Sequence, residues 1–87
     1  MEITIHELKT WPLHWTAMFN GEKTFELRKN DRGFKKYDEL LLKEYDPLKS
    51  EYTGRILHRQ IVYILRSTEA RAWGLQDGYC ILGLVKI

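Results

Sequence analysis

Residues 2–8, Glu-Ile-Thr-Ile-His-Glu-Leu, alternate at Ile3 and Ile5. A period of two predicts a strand, because successive side chains point to opposite faces. A helix signal follows. Thr10 can cap it, Pro12 suits the first turn, and Trp11, Trp15, Met18 and Phe19 fall at helical spacing. Gly21 supplies the left-handed residue that closes such a helix. From Lys23 to Lys29 alternation returns. Phe25 and Leu27 share one face, and Thr24, Glu26 and Arg28 share the other. After the turn-rich Asn30-Asp31-Arg32-Gly33, residues 39–46 predict a third strand, ended by Pro47. Residues 47–54 read as a connector, and Arg55–Leu65 as a long strand bent near His58. Residues 66–78 read as a connector with a helical turn. Tyr79–Val85 is a last strand, in which Gly83 marks a bulge or close approach.

The resulting order, β-α-β-β-β-β, is an α+β pattern. Five strands and one early helix predict a small, strongly curved sheet or barrel of about five or six strands, with the helix covering one end. Too few crossover helices are present for a parallel α/β sheet. At 87 residues the chain is expected to be a single domain over 1–87, with a small core.

Composition narrows the class. With 44% hydrophobic and 30% charged residues, the chain is too apolar for disorder and too charged for a membrane protein. No signal peptide is expected, since Glu2 and His6 interrupt the N-terminus and no apolar stretch follows. Cys80 is the single cysteine, which fits a reducing, cytoplasmic setting and gives no zinc-ligand spacing with His6, His14 or His58. No metal or other cofactor is expected. The net charge of +2 hides an alternation. Residues 21–36 carry six basic side chains against three acids, 37–53 carry five acids against Lys43 and Lys49, and 54–71 turn basic again. The two basic segments form one positive face if the fold brings them together.

The strand leaving Gly21 holds the most chemistry. A hydroxyl, a carboxylate and a guanidinium on one face (Thr24, Glu26, Arg28) can hydrogen-bond a polar planar ligand, or can pair with neighbours on a solvated sheet. His6, beside the strand-to-helix junction, is a candidate for the same cleft or a structural imidazole. Trp11 and Trp15 read as core or barrel plug ahead of a base-stacking platform, and Cys80 as a buried small hydrophobe. Tyr45 and Tyr52 flank a loop where they can stack on a base or serve as ordinary strand residues.

Gly21-x-Lys23-x-x-Glu26-x-Arg28 resembles the signature of the ASCH superfamily. Its flanks, His6-Glu7-Leu8-Lys9 with Trp11-Pro12, Lys29 to Arg32, Leu42 to Asp46, Tyr52 to Arg55, and Gly78-Tyr79 with Ile81-Leu82-Gly83, are similar to small bacterial and phage ASCH-like domains of unknown function. The resemblance spans nearly the whole chain. It implies a PUA-like β-barrel whose motif lines a cleft beside the helix and binds RNA or a modified nucleoside. Under it, His6, Lys9, Lys23, Thr24, Glu26, Arg28, Lys29, Asn30 and Arg32 form the expected ligand site, with the cations serving phosphates or base edges. Single-stranded or looped RNA fits better than B-form DNA, because no helix presents a basic recognition face.

One branch that the chain resembles deacylates N4-acetylcytidine with a Lys, a Thr and a Glu. Lys23 and Thr24 match the first two, as activator and nucleophile. Glu69 is the carboxylate of the 66–78 connector nearest that role. A third reading is a protein-interaction module of phage or bacterial origin.

Overall fold

The computed structural model describes residues 2–87. Five strands and two short helices follow one another as β1 (Ile5–Thr10), α1 (Pro12–Phe19), β2 (Phe25–Lys29), β3 (Glu39–Asp46), β4 (Glu51–Arg66), α2 (Ser67–Ala70) and β5 (Tyr79–Lys86), with a 3-10 turn at Arg71–Trp73 after α2. The strands form one sheet in the order β1-β3-β4-β5-β2, which curls into a half-barrel. This α+β architecture agrees with the expected small curved sheet. β3, β4 and β5 form an antiparallel meander, and β2 adds to β5 antiparallel. β1 adds to β3 in parallel, with Leu8 opposite Leu42. The sheet is therefore mixed. Its parallel pair is reached by the chain through α1 and β2 rather than by a single crossover helix.

Alternation located β1, but its register differs from expectation. The strand runs to Thr10, and its buried positions are His6, Leu8 and Thr10, while Ile3 and Ile5 are about half exposed. Leu8 decides the parity, since it joins Leu40 and Leu42 of β3 on the inner face, all at 1% exposure or less. Thr10 is thus the end of a strand. The helix N-cap is Trp11, with no side-chain cap, while Pro12 takes the first-turn position as expected. Gly21, at φ 79°, donates its N–H to the Met18 carbonyl and closes α1 in the left-handed conformation.

Only two of the four apolar helix residues enter the core. Trp15 and Met18 are buried, whereas Trp11 and Phe19 stand 57% and 58% exposed. The Trp15 indole N–H donates to the Leu42 carbonyl at 3.0 Å, which fastens α1 over β3. The core beneath is Leu8, Leu40, Leu42, Ile61, Leu82 and Leu84, with Phe34, Ile64 and Cys80 around it. Each fully buried aliphatic side chain stabilises the fold by roughly 1.5–3 kcal/mol.

β4 is longer than expected. Its first residues, assigned to a connector, form a hairpin with β3, pairing Tyr52 with Tyr45 across the Pro47–Ser50 turn. The Asp46 carboxylate accepts from the Leu48 and Lys49 amides inside that turn. The register shifts between Lys43 and Tyr45, opposite Gly54 at φ 93°. A second shift falls between Ile61 and Tyr63, opposite Gly83. A Cβ on Gly83 would sit 3.4 Å from the Tyr63 Cβ, so both the expected bulge and the close approach occur there. The ladder is regular at His58, where a bend was expected.

Among the described residues no helix is long and apolar enough to cross a membrane.

Candidate functional site

The half-barrel leaves two edges, β1 and β2, and these flank an open seam. An edge strand presents unpaired N–H and C=O groups to whatever faces it. Here arginines face β1. Arg28 Nη2 donates to the Lys9 carbonyl at 2.6 Å, and Arg32 Nη1 donates to the Glu7 carbonyl at 3.0 Å. The seam is thus bridged by side chains, and a cleft of about 680 Å³ opens along it. Lys9 and Thr10 come from β1, His14 from α1, residues 25–29 from β2 and Tyr79 from β5, with Trp11 and Lys23 at the junctions.

The Gly21-to-Arg28 motif supplies the polar centre of this cleft. Glu26 points inward from β2 and is 4% exposed. Its carboxylate accepts from Arg28 Nε at 2.8 Å and lies 3.6 Å from the Lys23 ammonium. Lys23 Nζ also lies 3.0 Å from His14 Nδ1. The carboxylate is thereby held between two cations, with oxygen lone pairs left to accept a further donor. Phe25 and Leu27, on the opposite face of β2, stay about half exposed because that face is the solvent side of the sheet, where Ile56 and Tyr63 of the central β4 are equally exposed. The cleft wraps around that edge and takes in both faces of the strand.

Of the expected ligand residues, Lys9, Lys23, Glu26, Arg28 and Lys29 line this cleft. His6, Thr24, Asn30 and Arg32 do not. His6 is turned to the buried side of β1 by the strand's register. Thr24 is exposed and lines a separate small hollow. Asn30 is held by its backbone, whose N–H donates to the Gly78 carbonyl at 2.8 Å. Arg32 is engaged with the β1 edge. Glu69 is exposed on α2 and does not line the cleft either. The hydroxyl and the connector carboxylate that deacylation needs are therefore not brought together with Lys23 in the cleft.

Sequence reasoning missed Thr10, His14, Phe25, Leu27 and Tyr79 as cleft residues, and it placed Trp11 in the core ahead of a stacking role. Trp11 is one of four apolar residues at helical spacing, which favours the core over stacking. Its position at the N-cap, just outside the helix, turns it away from the core. Phe25 was assigned to the apolar face of a strand, and nothing in the sequence marks that strand as an edge.

The family described as Domain of unknown function (DUF3850) matches residues 5–84. The chain belongs to this family. No curated protein matches it. The matched span of the DUF3850 domain contains every lining residue of the cleft, from Lys9 to Tyr79.

Two clusters built on buried carboxylates fix the walls of the DUF3850 domain's cleft. Asp38, 1% exposed, accepts from His6 Nε2 at 2.9 Å and from the amides of Thr4 and Lys35 at 3.1 and 3.0 Å. Burial works against its charged form. The hydrogen bonds from His6, Thr4 and Lys35 outweigh burial, so its pKa lies below the ordinary carboxylate value. The His6 ring also packs edge-on against Phe34, with centroids 4.8 Å apart. His6 thus ties β1 to the loop before β3.

In the second cluster Glu44, 2% exposed, accepts from Arg55 Nε and Nη2 at 2.8 Å each and from Thr53 Oγ1 at 2.7 Å. The Arg55 hydrogen bonds lower its pKa in spite of burial. The same guanidinium lies 4.1 Å from the centre of the Trp15 ring. The bulge at Gly54 of β4 is what lets Thr53 and Arg55 both reach one carboxylate. Together the two clusters anchor β1 and α1, whose junction carries Trp11.

Proposed function

We propose that the domain binds single-stranded RNA, with an unstacked base seated in the seam cleft. The observation that carries the reading is the company of side chains there. Trp11 and Phe25 are half-exposed rings at the mouth, with Tyr79 beside them. Lys9, Lys23, Arg28 and Lys29 surround them, and Glu26 is the one carboxylate in the lining. Aromatic faces take bases by stacking, cations take the backbone, and an inward carboxylate accepts from an exocyclic amine. A duplex has no place for this arrangement, because its bases are already stacked. The half-barrel and the motif-lined cleft beside α1 support the finer reading as a PUA-like barrel of the ASCH type.

The test is fluorescence anisotropy with a labelled ten-nucleotide RNA of mixed sequence at 50 and 200 mM KCl. Binding is expected to weaken steeply with salt, as backbone contacts require. Trp11→Ala removes an exposed ring, so the fold should survive while affinity falls by about 5- to 150-fold, the range for loss of one stacked base. No binding by the wild-type protein at 50 mM KCl, or equal affinity for the Trp11→Ala variant, would overturn the proposal.

A further inference from the structure

Lys23 lines two hollows. Beyond the seam cleft it borders a smaller one of about 250 Å³, together with Thr24, Arg59 and Lys86, over a floor of Met18 and Leu84. The smaller hollow has three cations and a hydroxyl in its lining and no carboxylate. Among the described residues, neither Arg59 nor Lys86 forms an ion pair. Arg59 donates from Nη1 to the His58 carbonyl at 2.9 Å and from Nη2 to the Met18 carbonyl at 3.4 Å. The second bond covers a carbonyl at the end of α1, where the helix dipole would otherwise repel an anion. That cap needs one cation, and the hollow holds three.

We propose that this hollow is a phosphate subsite, which takes the backbone phosphate of the nucleotide next to the base held in the seam. The inference rests on the RNA reading of the seam cleft and extends it by naming where the strand goes. Lys23 is common to both hollows, so a chain that leaves the seam over Lys23 meets Thr24, Arg59 and Lys86 without crossing an acidic side chain. Tetrahedral phosphate oxygens accept donors from several directions, and the Arg59 guanidinium, the Lys86 ammonium and the Thr24 hydroxyl supply them, while the Lys23 ammonium stays with His14 and Glu26 on the seam side. The apolar floor keeps water from one side. This gives Thr24 a part in the motif although it lies outside the seam: it donates to an anion on the far side of Lys23. It also brings in Arg59 and Lys86, which lie far from the motif in sequence.

Two measurements test the inference. The first is RNA affinity and its salt dependence for wild type, Lys86→Gln and the double variant Arg59→Gln/Lys86→Gln. The second is an amide NMR titration with inorganic phosphate. Losing the one phosphate contact should reduce the slope of log affinity against log salt by about 0.7 and weaken binding about fourfold near physiological salt. Phosphate should shift the Thr24 and Lys86 amides, and the double variant should abolish that shift. Lys86 is exposed, so its variant cannot fail merely by unfolding. If RNA binds in a Trp11-dependent way while the double variant binds equally well, the subsite is wrong and the seam reading stands. If RNA does not bind but phosphate still shifts Thr24, the hollow takes anions and the seam reading fails. If neither is seen, both fail.

Discussion

Removing Arg28 should loosen the seam in the absence of any ligand. Its Nε donates to Glu26 at 2.8 Å and its Nη2 to the Lys9 carbonyl at 2.6 Å, so one side chain joins the motif's carboxylate to the opposite edge strand. Arg28→Met keeps most of the apolar stem and loses both bonds. A hydrogen bond between charged groups contributes about 1.5–3 kcal/mol. The Lys9 carbonyl lies on an edge that water can reach, so its loss adds less. Glu26 keeps Lys23 at 3.6 Å, which limits the penalty of leaving a 5% exposed carboxylate without its arginine. The expected total is about 2–3 kcal/mol. A domain of this length has roughly 4–13 kcal/mol in all, so melting should fall by roughly 10–20 °C. Urea unfolding followed by circular dichroism measures the change directly. A cycle with Glu26→Gln should return a coupling of about 1–2 kcal/mol. A loss under about 0.5 kcal/mol, or additive single variants, would show that the guanidinium does not hold the seam together.

Two further outcomes concern the core. Asp38 and Glu44 both hold their protons less tightly when folded than when unfolded. The unfolded chain therefore binds more protons in acid, and their stabilisation, complete above the ordinary carboxylate range of about 4, is lost as pH falls through the lower folded values. Urea midpoints taken from pH 5 to 2 should drop steeply for wild type and less steeply for Asp38→Asn or Glu44→Gln; equal slopes would contradict the assignment. Cys80 is fully buried, and burial raises its thiol pKa. A thiol reagent should label it only under unfolding conditions, and prompt labelling of the native protein would refute its placement in the core.

Much of the fold was legible because period-two alternation and turn residues survive in a small sheet. The run from Phe25 to Lys29, the stop at Gly21 and the bulge at Gly83 all follow from local chemistry. What sequence could not show was strand order. Only the order makes β2 an edge, and only at an edge can one cleft take in Phe25 on the outer face and Glu26 on the inner one. His6 was left between the cleft and a structural role for a similar reason. One residue of parity in β1 decides whether it faces the cleft or Asp38, and Leu8 fixes that parity through β3. The Glu26–Arg28 pair was readable from spacing, whereas Arg55 reaching Glu44 depends on a bulge that the connector-like run Tyr52–Gly54 concealed. Trp11 was hidden by its own hydrophobicity, which marks a core residue and a stacking residue alike.

The arginines lying along β1 have a consequence for how copies of the molecule meet. A half-barrel with two free margins invites a neighbour to extend it strand by strand, the opening step of many insoluble assemblies. The Glu7 and Lys9 carbonyls, which such a neighbour would need as acceptors, already hold guanidinium donors from within the same chain. The groups that brace the mouth of the cleft therefore also keep the molecule from polymerising through it.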